Sequence, residues 1–240
     1  MDAKLKIMLM LTFALGIVAC LCFTPNRKNE NAENNAVVVE NRLKTNQIHY
    51  EVKRIALTFD DGPNGIYTEK LLDGLKKRNV KATFFVTGEN IKGNEEIIKR
   101  MYEEGHLIGN HTYSHVNLVK LSFESACEEI NTTNAWIYNL TGYEVEYIRP
   151  PFGAWTKELK TETDMAIVMW NVDPLDWKEQ NSEIVSGRII RNVKSGDIVL
   201  LHDIFGSSVE AALKVIDELT KQGYIFVRVD ELSGNGKVVR

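Results

Sequence analysis

From residue 53 to about residue 230 of this 240-residue chain, short runs of apolar, β-branched or aromatic residues alternate with amphipathic stretches of helical length. That alternation constrains the fold more than any single motif. A strand followed by a helix and a further strand sets the strands parallel, with the helices packed outside the sheet. The pattern predicts strands near 54–59, 82–87, 106–109, 145–149, 165–172, 197–201 and 224–229. Helices are predicted near 67–78, 94–104, 122–140, 156–162, 181–193 and 207–221. Gly105, Gly142, Gly196 and Gly223 fall near helix ends, where a C-terminal cap favours glycine. About seven units in fewer than 190 residues point to an α/β chain whose parallel strands form an incomplete or distorted (β/α) barrel. A doubly wound open sheet is the alternative.

The first segment stands apart. Lys4 and Lys6 precede an apolar run from Ile7 to Phe23, the pattern of an export signal. Within it, Ile17-Val18-Ala19-Cys20 resembles a bacterial lipobox, with Cys20 as the lipidated residue; an uncleaved anchor is the alternative. From Pro25 to about Gln47 the chain is rich in Asn, Glu and Lys, as a flexible tether would be. The expected organisation is an export signal or membrane anchor over 1–24 and a tether over 25–50. A catalytic domain over 51–232 and a short tail over 233–240 follow. The domain is expected outside the cytoplasm, held to the membrane through its N-terminal segment or secreted. A formal charge of −4 argues against a nucleic-acid binder, which would carry a basic excess. Of three cysteines, only Cys127 lies outside the export segment, so no disulfide within the domain is expected.

In parallel α/β folds, functional side chains gather where strands end and loops begin. Reactive residues follow five of the predicted strands here. Asp60 and Asp61 close "RIALTFDDGP"; His111 and His115 lie in "GNHTYSH"; Arg149 opens "RPPFG"; Asp176 and Trp177 end "DPLDW"; Leu200 and His202 belong to "LLHD". Histidines four residues apart share one face if the segment is helical, so both rings can reach one ion. Two histidines and an aspartate leave coordination positions open, which suits a catalytic ion: Zn first, with Co or Mn as alternatives. At a strand-to-turn junction both aspartates can face the site, one binding metal and its neighbour free to act as general base. Arg149 is placed to orient that base by a bidentate contact. Asp176 is placed to pair with His202, and a carboxylate-paired imidazole is a suitable general acid for an amine leaving group. These residues specify metal-assisted hydrolysis with separate acid and base, without naming the acyl group. His49 and His106 receive no role.

The five motifs, in this order, resemble those of the NodB-homology polysaccharide deacetylases, carbohydrate esterase family 4, over roughly Arg54–Asp230. The resemblance implies a distorted (β/α) barrel of about seven strands. It implies Asp60 as base, Asp61, His111 and His115 as metal ligands, Arg149 as the tether of Asp60, and Asp176 as the partner of the acid His202. Trp177 and Leu200 match positions lining the acetate-methyl pocket. Phe152 stands where the family usually has Tyr, a residue whose backbone N–H serves the oxyanion. Trp155 and Thr156 replace the family's usual Tyr-Asn, a departure expected to alter substrate contacts. The implied substrate is an acetylated amino-sugar polysaccharide, peptidoglycan before chitooligosaccharide or acetylxylan; a non-catalytic glycan binder is the reading from another class. Three N-x-[ST] matches, beginning at Asn110, Asn131 and Asn139, are read as chance.

Overall fold

The computed structural model describes residues 52–232 and 238–239; the expected export segment, the tether and His49 lie outside them. Seven parallel strands are present: β1 (Lys53–Asp60), β2 (Thr83–Val86), β3 (Leu107–Asn110), β4 (Tyr147–Ile148), β5 (Ala166–Val168), β6 (Ile198–His202) and β7 (Tyr224–Phe226). The sheet order is β6-β1-β2-β3-β4-β5, with β7 paired to Lys53–Ile55 of β1. Within the expected tail, β8 (Val238–Val239) pairs antiparallel with β5. Beyond β5 the chain reaches Val172, which bridges Val199 of β6, so the two sides of the sheet meet. The strands thus curl into the distorted barrel rather than a doubly wound open sheet.

Among the described residues, eight α-helices cover this sheet: α1 (Tyr67–Arg78), α2 (Gly88–Ile91), α3 (Glu95–Glu103), α4 (Phe123–Thr141), α5 (Lys157–Glu162), α6 (Asp176–Glu179), α7 (Ser182–Asn192) and α8 (Gly206–Lys221). Six coincide with the predicted stretches to within about a residue at each end. The other two, α2 and α6, span one turn each, too short to show a 3.6-residue period. Helix ends follow local chemistry. Ser122 caps α4 by accepting from the Ser125 N–H at 3.2 Å, and Gly142 (φ 70°) ends that helix in the left-handed conformation.

Strand β1 is buried on both faces from Ile55 onward, as a parallel strand covered by helices must be. Ile55, Leu57 and Phe59 pack with Leu71, Leu72 and Leu75 of α1 and Val215, Ile216 and Leu219 of α8. Each such fully buried side chain contributes about 1.5–3 kcal/mol. Ala56, on the opposite face, packs with Phe85, Val168 and Ile198 inside the barrel. A third cluster, built on Leu118, Ile130 and Ile148, receives half-buried Cys127 and Trp155. Asn110 is fully buried, which fits the reading of its glycosylation match as chance. Among the described residues, no helix is long and apolar enough to cross a membrane.

One strand departs from expectation. The run 165–172 predicts eight strand residues, whereas the ladder holds Ala166–Val168. The carbonyls of Val168 and Met169 accept instead from the Arg149 guanidinium, at 3.1 and 3.4 Å. Farther along, the Asn171 side chain takes the Ile198 N–H at 3.1 Å. A side chain replaces the ladder at Val168 and Met169, backbone bonds to β6 resume at Asn171 and Val172, and the site lies at this break.

Candidate active site

The β1 strand delivers Asp60 as its last residue, and the next residue, Asp61, adopts φ 73°. In a continuing strand the two side chains would face opposite sides; the left-handed step instead turns both into one pocket of about 390 Å³. Two neighbouring contacts hold this turn. Asn90 Nδ2 donates to the Asp61 carbonyl at 2.8 Å, and the Thr87 N–H donates to the Gly62 carbonyl at 2.9 Å.

The segment carrying His111 and His115 is a loop rather than a helix. Thr112 (φ 65°) and His115 (φ 53°) both take left-handed backbone conformations, and these turns bring the imidazoles together with ring centroids 5.0 Å apart. Two acceptors the motif did not reveal brace the loop. Asn110 Oδ1 accepts from the Thr112 N–H at 2.6 Å, while its amide donates to the Ile130 carbonyl and to Asn134 on α4. Glu129, also on α4, accepts from the Tyr113 and Ser114 N–H groups at 2.9 and 2.8 Å and from the Ser114 hydroxyl at 2.7 Å.

Asp61 Oδ1 is buried without a hydrogen-bond partner, 3.4 Å from Nε2 of both His111 and His115. One donor atom from each of the three residues lies within 4.8 Å of the others. His111 Nδ1 donates to the Arg149 carbonyl at 2.6 Å, since a carbonyl can only accept, and this turns Nε2 toward the carboxylate. Burial raises the Asp61 carboxyl, but the nearby rings of His111, His202 and His115 outweigh it and leave it below the usual carboxylate range. Burial also lowers His115. An ionised carboxylate and neutral imidazoles are the ligating forms. This partly buried N,N,O set, with Asp61 Oδ1 left unsatisfied, fits a divalent cation of borderline softness.

Arg149 follows β4 and is fully buried. Its Nη1 contacts Asp60 Oδ1 and Thr58 Oγ1, each at 2.7 Å, and the guanidinium lies 4.3 Å from the centroid of the Phe85 ring. The expected bidentate grip on Asp60 is therefore a single contact. The remaining contacts go to Thr58 and to the carbonyls of Val168 and Met169 at the end of β5, which fix the orientation of the guanidinium. Thr58 relays the contact by donating to the Val199 carbonyl at 2.6 Å.

Across the pocket, His202 ends β6. Asp176, buried at the start of α6, accepts from His202 Nδ1 and from the His202 backbone N–H, both at 2.8 Å. Burial by itself would lower the imidazole, but the Asp176 carboxylate outweighs it and pushes His202 up to about 9. Trp177 and Leu200 line the same pocket, as does Phe152, which is 68% exposed and meets the His115 ring edge-on at 5.0 Å. All ten residues singled out in the sequence are thus in or directly behind one pocket.

Residues 48–168 match the model of the polysaccharide deacetylase family. The chain belongs to that family. It is 42% identical over 180 residues to the peptidoglycan-N-acetylmuramic acid deacetylase PdaC of Bacillus subtilis, covering 75% of this chain and 38% of that protein. Against a peptidoglycan-N-acetylglucosamine deacetylase of Bacillus cereus, identity is 40% over 195 residues, covering 78% and 71% of the two chains. The chain thus spans about two fifths of the length of PdaC. The solved structure of PdaC aligns with a TM-score of 0.74 at 42% identity, over 76% of this chain and 90% of that one. A family 4 acetyl xylan esterase from Clostridium thermocellum, solved with a cobalt ion, aligns with a TM-score of 0.71 at 36% identity, over 75% and 90%.

Two features of this polysaccharide deacetylase chain play structural parts that their places in or beside the motifs did not reveal. Trp155 and Thr156, expected to alter substrate contacts, are not among the pocket-lining residues: Trp155 packs in the third core cluster and Thr156 caps α5. Asp203, directly after the acid motif's histidine, is fully buried, and burial pushes its carboxyl up to about 7. No short-range spacing announces either.

Proposed function

We propose that this chain is a metal-dependent hydrolase that removes N-acetyl groups from a cell-wall polysaccharide, with peptidoglycan amino sugars as the substrate. One observation carries the proposal: an Asp61–His111–His115 set with an unpartnered carboxylate oxygen shares a pocket with an arginine-held carboxylate on one side and a carboxylate-paired imidazole on the other. A ligand set alone would suit many proteins, whereas a ligand set between a positioned base and a positioned acid suits amide hydrolysis. The kinship to deacetylases named for peptidoglycan supports the substrate class.

In this mechanism Asp61, His111 and His115 would hold the cation, Zn before Co or Mn, which would supply Lewis acidity. Asp60, fixed by Arg149, accepts the proton of the attacking water. The backbone N–H of Phe152 steadies the oxygen of the tetrahedral centre. Trp177 and Leu200 flank the acetyl methyl group. His202, protonated at neutral pH through Asp176, gives its Nε2 proton to the departing nitrogen, and Asp176 retains the Nδ1 proton. The C–N bond breaks, releasing acetate and a free amine on the sugar. The domain over 51–232 works outside the cytoplasm, where peptidoglycan lies, exported or anchored through residues 1–24 and spaced by 25–50.

Acetate release from peptidoglycan, chitooligomers and acetylxylan, with and without a chelator, tests the proposal. Peptidoglycan should yield acetate only with metal, and Asp60→Asn should lose at least about 100-fold in kcat while still binding Zn. A chain loaded with Zn or Co that releases acetate from none of the three refutes the activity. Preferential release from acetylxylan would move the substrate to the esterase side of the family.

A further inference from the structure

Asp203 is a buried carboxyl group with no place in the chemistry above. It does not line the pocket, so it cannot touch the substrate. Its Oδ2 accepts from the Thr68 hydroxyl at 2.5 Å, while Oδ1 is buried without a partner. Thr68, on the first turn of α1, uses its oxygen to accept from the Asn64 N–H at 2.7 Å, which directs its proton to Asp203. Asn64 Oδ1 in turn accepts from the Ile66 and Tyr67 N–H groups at 3.0 Å each. On its other side the carboxyl group lies against Gly62 so closely that a β-carbon there would collide with both of its oxygens.

These contacts join three segments at one point. Asp203 continues β6 directly from His202. Gly62 follows Asp61 directly. Thr68 and Asn64 fix the entry to α1, the helix into which the Asp60–Asp61 turn leads. An apolar residue would fill this space without the desolvation cost of a carboxyl group. Geometry is what the polar link adds. We infer that Asp203 is a positioning residue: gripped by Thr68 and wedged against Gly62, it sets the base-and-metal turn relative to the strand end that carries His202.

The inference uses the proposed deacetylation only for its kinetic readout; metal affinity tests it independently. In the full chain, Thr68→Val removes the link with almost no change of shape, and Asp203→Leu removes its other half. Thr68→Ser and Asp203→Asn are the conservative variants. Zn affinity by chelator competition, kcat and KM at saturating Zn, and Tm are measured for all four. Thr68→Val and Asp203→Leu should bind Zn about 10- to 100-fold more weakly, the usual effect of losing a group that orients a metal ligand. Their kcat should fall while KM stays unchanged. Thr68→Ser and Asp203→Asn should stay within about threefold of the parent on both measures. Zn affinity and kcat within threefold of the parent for Thr68→Val overturn the inference, as does a loss that Thr68→Ser fails to restore. If Asp203→Leu does not fold, the Thr68 pair decides. If the parent chain releases no acetate, the proposed function fails, and the Zn affinities still test Asp203.

Discussion

Replacing Asp176 by Asn keeps the size of the side chain and removes its charge, and the structure gives the size of the effect. His202 stands at about 9 with Asp176 present, against an ordinary value of 6.5. Losing that support costs the imidazolium about 3 kcal/mol. The group acts as the acid only when protonated, so the alkaline limb of kcat/KM belongs at about 9 in the parent chain. In Asp176→Asn it should move to 6.5 or below, because burial then lowers the ring without the Asp176 carboxylate to offset it. At pH 7.5 the protonated share falls from nearly all to about a tenth or less, so kcat/KM should drop at least about tenfold from titration alone. Stability changes with it. Because the folded value is raised, the pair stabilises fully below about pH 6.5, and its contribution fades as pH rises through about 9. Thermal melts at pH 6 and pH 10 should therefore lie closer together in the variant than in the parent. Acetate release across pH 5–10 is the assay. An alkaline limb that stays near 9 in Asp176→Asn, with kcat/KM within threefold of the parent, would refute the assignment of His202 and Asp176.

Glu129→Ala removes three hydrogen bonds to the His115 loop and should cost about 1.5–3 kcal/mol per charge-assisted bond at most. It should also weaken Zn binding about 10- to 100-fold in a chelator competition, and unchanged affinity would show that the loop holds itself. Arg149→Leu strands the buried Asp60 charge and should lower stability by about 3–5 kcal/mol; adding Asp60→Asn should recover part of that in denaturant melts, and no recovery would deny the ion pair. His106 is buried, with Nδ1 accepting from the Ala82 N–H at 3.1 Å, and burial lowers it to about 4. The unfolded chain binds that proton first, so stability should fall as pH drops from about 6.5 to about 4, by on the order of 3 kcal/mol. His106→Gln should flatten that slope in urea titrations, and equal slopes would discount the burial.

The proposed catalytic set was legible because each member sits at or near the end of a strand that announces itself by alternation, so position along the chain also gave position in space. The supports were not, because their partners are distant in sequence. Thr58 meets Arg149 across 91 positions and Thr68 meets Asp203 across 135. Nothing near Glu129 in the chain marks it as an acceptor; on α4 its spacing is that of any half-exposed helix position. The H-x-x-x-H spacing was ambiguous for another reason. Four residues suit one helical turn, but two left-handed residues close the same distance in a loop, and Asn110 and Glu129 provide the acceptors that make the loop affordable.

The broken strand after β5 shows how far the site reshapes the fold around it. Hydrophobic pattern alone extends that strand to residue 172, and in a plain barrel the Val168 and Met169 carbonyls would pair along the sheet. A buried guanidinium has five donors and needs acceptors for them. Asp60 and Thr58 engage one nitrogen of Arg149, and the two carbonyls engage the others. Arg149 then gives its own carbonyl to His111, so one residue orients the base by its side chain and a metal ligand by its backbone. Removing the strand ladder at this point leaves Trp170 and Asp173 lining the pocket rather than filling the sheet. Local pattern and final structure part company here because the polar demands of the site outweigh two ladder bonds.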